Sequence, residues 1–271
     1  MKKNIEEIWR RIIVLSDLHV GSLIGLCHPH YWLSKNHPCR KIQEALWKWF
    51  IEEITSVGRI DYLVVNGDAI EGKSKRDGGN ECITTNLLEQ VNMAQRVIQA
   101  AHAWKYLIIG GTSYHTRENG ENFEEVLAKQ IQGIYSNGGH FRFQFDDGVY
   151  PTVFNFKHYM GSRTWNARTG ALKRFLINDM IQVTKGDKDL LTDILIRSHI
   201  HIFDYAKGVR DDTIALSTPA LQAPGSTFGQ LICDGEYSIG FIEFNIKKNG
   251  EKSWKPHIAK IPSLISQVQT V

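Results

Sequence analysis

Short unbroken apolar runs alternate along the chain with longer stretches in which apolar residues return every third or fourth position. Ile12 to Leu15 is the first short run, apolar without alternation, and it predicts a strand buried on both faces of a parallel or mixed sheet. From Arg40 to Val57 the recurrence of Ile42, Ala45, Leu46, Trp49, Phe50, Ile54 and Val57 predicts an amphipathic helix lying on that sheet. The theme repeats. Asp61 to Asp68 holds a second apolar strand, a helix follows with Leu87, Val91, Ala94, Ile98 and Ala101 on one face, and a third strand runs from Trp104 to Ile109. Asn122 to Ile134 predicts a third helix on Phe123, Val126, Leu127 and Ile131. Strand and helix in alternation predict an α/β fold with parallel strands.

The second half is richer in strands. His140 to Phe145 and Val149 to Lys157 flank Asp146-Asp-Gly148, a hairpin signal for antiparallel pairing. A helix is expected from about Arg168 to Val183, a buried strand from Thr192 to Ile196, and further strands at roughly 202–207, 212–217, 236–246 and 253–260. No internal repeat, low-complexity tract or linker divides the sequence, so one domain over residues 1–271 is expected.

Composition narrows this only a little. The 271 residues, 42% hydrophobic and 23% charged, match an ordinary globular protein with a substantial core. A net charge of +3 neither requires nor excludes a polyanionic partner. Met1-Lys-Lys-Asn-Ile-Glu-Glu7 has no apolar segment behind its lysines, so a secretory leader is not expected. No stretch approaches the roughly 18 apolar residues of a membrane span. The four cysteines read as free thiols in a reducing cytoplasm, which is the expected location.

Metal-binding side chains collect where the strands end. Asp17 and His19 close the first strand, and on an extended backbone residues two apart leave the same face. Open α/β sheets place their ligands just beyond the carboxyl ends of the strands. Asp68 follows the second strand, His115 the third with Thr112 and Ser113 nearby, and His158, His199 and His201 follow strands of the second half. Imidazole and carboxylate without thiolate suit Mn²⁺, Fe or Zn²⁺ in a catalytic site. Cys27, His28, His30, His37 and Cys39 crowd the irregular segment Val20–Pro38 but match no paired Cys-x2–4-Cys spacing; a polar loop over the site is expected there instead of a zinc knuckle.

In this order the motifs resemble those of the calcineurin-like metallophosphoesterase superfamily: Asp-x-His, Gly-Asp, Gly-Asn-His, a strand-end His, and Gly-His-x-His. Here they read Asp17-Leu-His19, Gly67-Asp68, Gly110-Gly-Thr-Ser-Tyr-His115, His158, and Ser198-His199-Ile-His201, so that the resemblance spans residues 11 to about 205. It implies a four-layer α/β/β/α sandwich of two mixed β-sheets flanked by helices, with two divalent ions at the sheet edges. Position by position, it implies Asp17, His19 and His201 on one ion, Asp68 bridging, His158 and His199 on the other, and His115 as general acid toward the leaving oxygen. The implied activity is hydrolysis of a phosphate ester by water activated between ions roughly 3.5–4 Å apart. Mn²⁺ is the first expectation, with Fe, Zn²⁺ and Ni²⁺ as alternatives.

The third motif departs from the pattern, because Gly-Thr-Ser-Tyr-His stands where the family has Gly-Asn-His. Thr112 can offer a hydroxyl in place of the amide, a water can replace it, or His115 can shift toward the ion. Activity is therefore expected to depend on added Mn²⁺. Gly-Thr-x-Tyr-His and Gly-Asp-Ala-Ile-Glu-Gly72 resemble bacteriophage and prophage members, which implies a host cytoplasm, and Glu71 is expected to hydrogen-bond behind the ligands. Arg163 and Arg197 are candidate phosphate contacts, with Arg168, Lys173 and Arg174 nearby and Tyr159 and Trp165 as stacking platforms. A solvated helix face with a core Trp is the alternative for that group. The expected function is a phosphodiesterase or nuclease acting on DNA or a nucleotide diester. A phosphomonoesterase and a metal-binding module without catalysis are the alternatives; no membrane partner is expected, and the oligomeric state is left open.

Overall fold

The computed structural model describes residues 9–75, 78–143, 151–160, 168–186, 191–208, 210, 212–225 and 237–260. Its elements run β1 (Trp9–Leu15), α1 (Arg40–Ser56), β2 (Tyr62–Asn66), α2 (Leu87–Gln99), β3 (Lys105–Ile109), α3 (Ser113–Thr116), β4 (Arg117–Glu118), β5 (Glu121–Asn122), α4 (Phe123–Gln130), β6 (Ile134–Ser136) and β7 (Gly139–Phe143). They continue with β8 (Thr152–Phe156), α5 (Arg168–Lys185), β9 (Ile194–Arg197), β10 (Asp204–Lys207), β11 (Ile214–Ser217), β12 (Gly240–Lys247) and β13 (Lys252–Ile258).

Two mixed sheets carry the site. The first has the order β13-β12-β1-β2-β3-β6, and the second β10-β11-β9-β8-β7; β4 and β5 form a separate two-stranded ladder. In the first, β1, β2, β3 and β6 are parallel, with β12 antiparallel to β1. In the second, β8, β9 and β11 are parallel. The unbroken apolar run of β1 is explained by what covers its two faces. Ile13 and Leu15 pack with Leu46, Phe50, Val91 and Leu127 of the helices, whereas Ile12 and Val14 pack with Phe154, Phe156 and Ile196 of the second sheet. Leu172 and Leu176 of α5 cover the far face of that sheet against Leu195 and Ala215. Helices, sheet, sheet and helix therefore form the four layers that the motif order implies.

The third helix is shorter than the expected Asn122–Ile134. It stops at Gln130, Gln132 takes a left-handed backbone (φ 55°), and Ile134 instead opens β6, parallel to β3. The antiparallel pairing expected around Asp146-Asp-Gly148 holds, with Gly139 opposite Phe156, although that turn lies outside the described residues. No helix among the described residues is long and apolar enough to cross a membrane.

Candidate metal centre

All seven strand-end groups lie beyond the carboxyl ends of parallel strands. Asp17 and His19 follow β1, Asp68 follows β2, His115 follows β3, His158 follows β8, and His199 and His201 follow β9. The two sheets are joined at that edge by hydrogen bonds. His158 Nδ1 donates to Asn66 O (2.7 Å), Asn66 Nδ2 to Ser198 Oγ (2.6 Å), and Ser198 N to His158 O (2.8 Å). Asn66 thus links β2 to the turns after β8 and β9, and the groups from both sheets converge.

The convergence does not come from extended backbone, as the Asp-x-His spacing suggested. Asp17, His19, Asp68, His199 and His201 all have positive φ, between 45° and 78°. That region is uncommon for residues with a Cβ, though Asp and His enter it more readily than most. Each such residue costs about 1–3 kcal/mol unless its surroundings hold it there. They do hold it: the β1–β2 ladder continues into the turns as Asp17 N→Gly67 O (3.0 Å), His19 N→Asp68 O (3.0 Å) and Val20 N→Ala69 O (3.1 Å). Gly67 is required at the crossing point, since a Cβ there would collide with the His158 ring. Gly111 is required for a similar reason, facing Asp68 N and Oδ1.

Two triads result, each with ligand atoms mutually within 4.8 Å: Asp17, His19 and His201, and Asp68, His158 and His199. A third grouping of His19, Asp68 and His115 meets the same limit. Asp17 Oδ1 lies 3.1 Å from His201 Nε2, 3.8 Å from His158 Nε2 and 4.0 Å from His19 Nε2. Asp68 Oδ2 lies 3.0 Å from His158 Nε2. Several of these atoms have no hydrogen bond although they are buried. Neither ring nitrogen of His19 makes one, even with Nδ1 2.9 Å from Glu71 Oε2, and His158 Nε2 makes none. With Nδ1 of His158 donating to a carbonyl, Nε2 presents its lone pair to the centre when the ring is neutral. Unsatisfied nitrogens beside carboxylates are the donor set that a divalent ion completes.

The electrostatics are those of a cage closed on itself. Burial opposes charge throughout, yet His201 and then His158 hold Asp17 well below the usual carboxylate range. His158 does the same for Asp68. Against its own burial, His158 is carried up to about 10 by Asp68 and Asp17, and His19 to about 9, chiefly by Glu71. His199 goes the other way, down to about 4, through burial and the neighbouring His158.

The divergent third motif is bound tightly to the second. Thr112 N donates to Asp68 Oδ1 (2.6 Å), Thr112 Oγ1 donates to Asp68 Oδ2 (3.0 Å), and Thr112 Oγ1 lies 3.4 Å from His199 Nδ1. His115 Nδ1 donates to Glu71 O (2.5 Å), leaving Nε2 as its free edge, with its ring 4.8 Å from that of His19. Glu71 is buried beside His19 and also accepts from Gln222 Nε2 (3.3 Å).

Several contributors escape a sequence reading. The buried Glu124 of α4 accepts from Ala69 N (3.0 Å) and Gly111 N (2.6 Å), clamping together the turns that carry Asp68 and Thr112. Burial and then Asp68 push its carboxyl up to about 7. Gln90 of α2 accepts from Gly72 N and donates to Gly72 O, and Gln43 of α1 donates to Leu23 O. The available signal was a polar residue on the apolar face of each helix. Tyr237 Oη meets His201 Nδ1 at 2.6 Å and had no sequence signal.

Two expectations fail. Arg197 is not a phosphate contact: it sits on the α5 side of β9, 7% exposed, with Nη1 donating to Asn155 O, Asn155 Oδ1 and Ile196 O and the guanidinium over the Phe175 ring. The Val20–Pro38 segment is only partly a polar surface loop, since Val20, Leu26 and Cys27 are buried core and Ala223 N bonds to Ile24 O. Its His28 Nδ1 and His37 Nδ1 accept from His30 N and Cys39 N within local turns, and no metal-capable group forms there among the described residues. Lys173 and Arg174 lie on the exposed side of α5. Arg163 and Trp165 fall outside the described residues.

No family model matches the chain, and no curated protein matches it. Among solved structures, it aligns with Zn²⁺-complexed Vps29 from Entamoeba histolytica at 15% identity, over 92% of this chain and 98% of that one, with a TM-score of 0.40. It aligns with GAP50, an inner membrane complex anchor of Plasmodium, at 14% identity, over 95% and 87%, with a TM-score of 0.44. It also aligns with the NAD nucleotidase NadN of Haemophilus influenzae at 9% identity, over 93% and 50%, with a TM-score of 0.38. Likeness at this level concerns chain course only, and nothing about the site rests on it.

Proposed function

We propose that the chain is a metal-dependent phosphoric ester hydrolase of the metallophosphoesterase type, with a phosphodiester such as DNA or a nucleotide diester as its first substrate class. The observation that carries this reading is the pair of facing triads with buried, unpartnered imidazole nitrogens. Asp17, His19 and His201 would hold one divalent ion, and His158 and His199 a second, with Asp68 between them. The donor set of imidazoles and carboxylates suits Mn²⁺, Fe, Zn²⁺ or Ni²⁺, of which Mn²⁺ is the ion we would test first. When bound, such a pair supplies an activated water and the positive charge that in-line displacement at phosphorus needs.

The remaining work falls to this chain's own groups. Glu71 O holds His115 Nδ1, so a protonated ring delivers its proton from Nε2 to the departing oxygen. Tyr237 fixes the ring of His201, and Asn66 O that of His158. Glu124 and Thr112 hold Asp68 against the turn after β3. Mn²⁺-dependent hydrolysis of bis-p-nitrophenyl phosphate, faster than that of the mono-ester, is the expected result. Preference for the mono-ester would replace the diesterase reading by a phosphomonoesterase, and bound metal with turnover of neither would reduce the centre to a binding module.

A further inference from the structure

The floor of the centre is deeply buried, with His19 4% and His158 2% exposed, whereas His115 and His199 at its rim are half-buried. Each rim imidazole carries an exposed tyrosine. Tyr114, 37% exposed, meets the His115 ring edge-on at 5.1 Å between centroids, and Tyr159, 54% exposed, lies tilted over His199 at 5.0 Å. Both are held by the site itself: Tyr114 precedes His115 in the α3 turn, and Tyr159 follows His158 directly. Thr112 connects the two sides, bonding to Asp68 and reaching His199 Nδ1. A large ring more than a third exposed beside a polar, charge-lined centre gains from any flat apolar surface delivered with the substrate.

We propose that Tyr114 and Tyr159 form a pair of stacking platforms that selects phosphate esters bearing a planar heterocyclic base. Substrates would then be nucleotides or the nucleotide units of a strand, in preference to sugar or alkyl phosphates. This rests on the phosphoester reading above. Stacking on an aromatic ring tolerates any base, because every base offers a π face, so the platforms confer a class preference and not sequence specificity.

The test is a calorimetric titration of the Zn²⁺-loaded full chain with adenosine 5′-monophosphate and with ribose 5-phosphate, which share phosphate and sugar and differ at C1, where one carries the base and the other a hydroxyl. The nucleotide is expected to bind on the order of 5- to 100-fold tighter. Tyr114→Leu and Tyr159→Leu should each erode that ratio with ribose 5-phosphate binding unchanged, and the Phe variants should restore it. A dinucleotide bound tighter than the monophosphate assigns the rings to successive bases of a strand; equal binding assigns them to one nucleotide. Equal binding of nucleotide and sugar phosphate overturns the platforms while leaving a phosphate-binding centre. So does a Leu variant that weakens both ligands alike. Binding of neither ligand overturns the phosphoester reading along with them.

Discussion

The two halves of the centre are built from the same residue types and are not equivalent. Around Asp17, His19 and His201, every ligand is buried, both nitrogens of His19 lack hydrogen bonds, and Tyr237 fixes His201 from behind. Around Asp68, His158 and His199, both Asp68 oxygens already accept from Thr112, His199 is half-buried, and the Thr112 hydroxyl lies 3.4 Å from His199 Nδ1. Each half has a buried nitrogen without a hydrogen bond, on His19 and on His158, and each carboxylate already accepts hydrogen bonds, Asp17 from Ser16 Oγ and His199 N and Asp68 from Thr112; the half-buried imidazole and the threonine hydroxyl belong to the Asp68 half alone. The difference argues for unequal affinity, with the Asp68 half the weaker and more substitutable.

The largest expected effect comes from the residue the halves share. Asp68→Asn should abolish turnover and strip the second ion outright, read by metal analysis beside hydrolysis rates; retained activity breaks the two-ion reading. Glu124→Gln comes next. It keeps the size of the side chain but turns an amide N–H toward Ala69 N or Gly111 N, so ion affinity in the Asp68 half should fall on the order of 10- to 100-fold. The Asp17 half should hold its ion unchanged, and equal weakening of both would make Glu124 a merely structural residue. Thr112→Val should act in the same direction about tenfold at most, losing the hydroxyl but keeping the backbone bond to Asp68.

A smaller signature distinguishes the halves by pH. In the ion-free protein His158 titrates near 10 and His19 near 9, so both carry protons at neutral pH that an ion must displace, whereas His199, near 4, has none to give. Affinity should therefore rise with pH from about 6 to about 9 and fall on acidification, with about two protons released per chain on loading. Loading without proton release, measured in weakly buffered solution, contradicts the charge assignment.

The candidate groups that the structure brings together were legible in the sequence because each stands shortly after an apolar run, and strand ends are where such sheets expose chemistry. The way they meet was not. Pleat alternation suggested that Asp17 and His19 face one side, but both lie beyond β1 with left-handed backbone, held by a ladder to Gly67 and Asp68 about fifty residues away. Arg197 was misread for a related reason. Ile-Leu-Ile-Arg is apolar on both faces as far as a linear reading goes, and only the packing of α5 on the Leu195 side decides that the guanidinium points away from the centre. Gln43, Gln90 and Glu124 look like helix solubility until the loops beneath them are in place.

The most direct test of unequal halves acting together is a stepwise Mn²⁺ titration of the metal-free chain, with hydrolysis of bis-p-nitrophenyl phosphate followed at each step. Two binding steps are expected, the tighter one silent and the weaker one bringing turnover, with Glu124→Gln shifting only the second. Full turnover with a single ion per chain, or two ions bound without turnover, would contradict it.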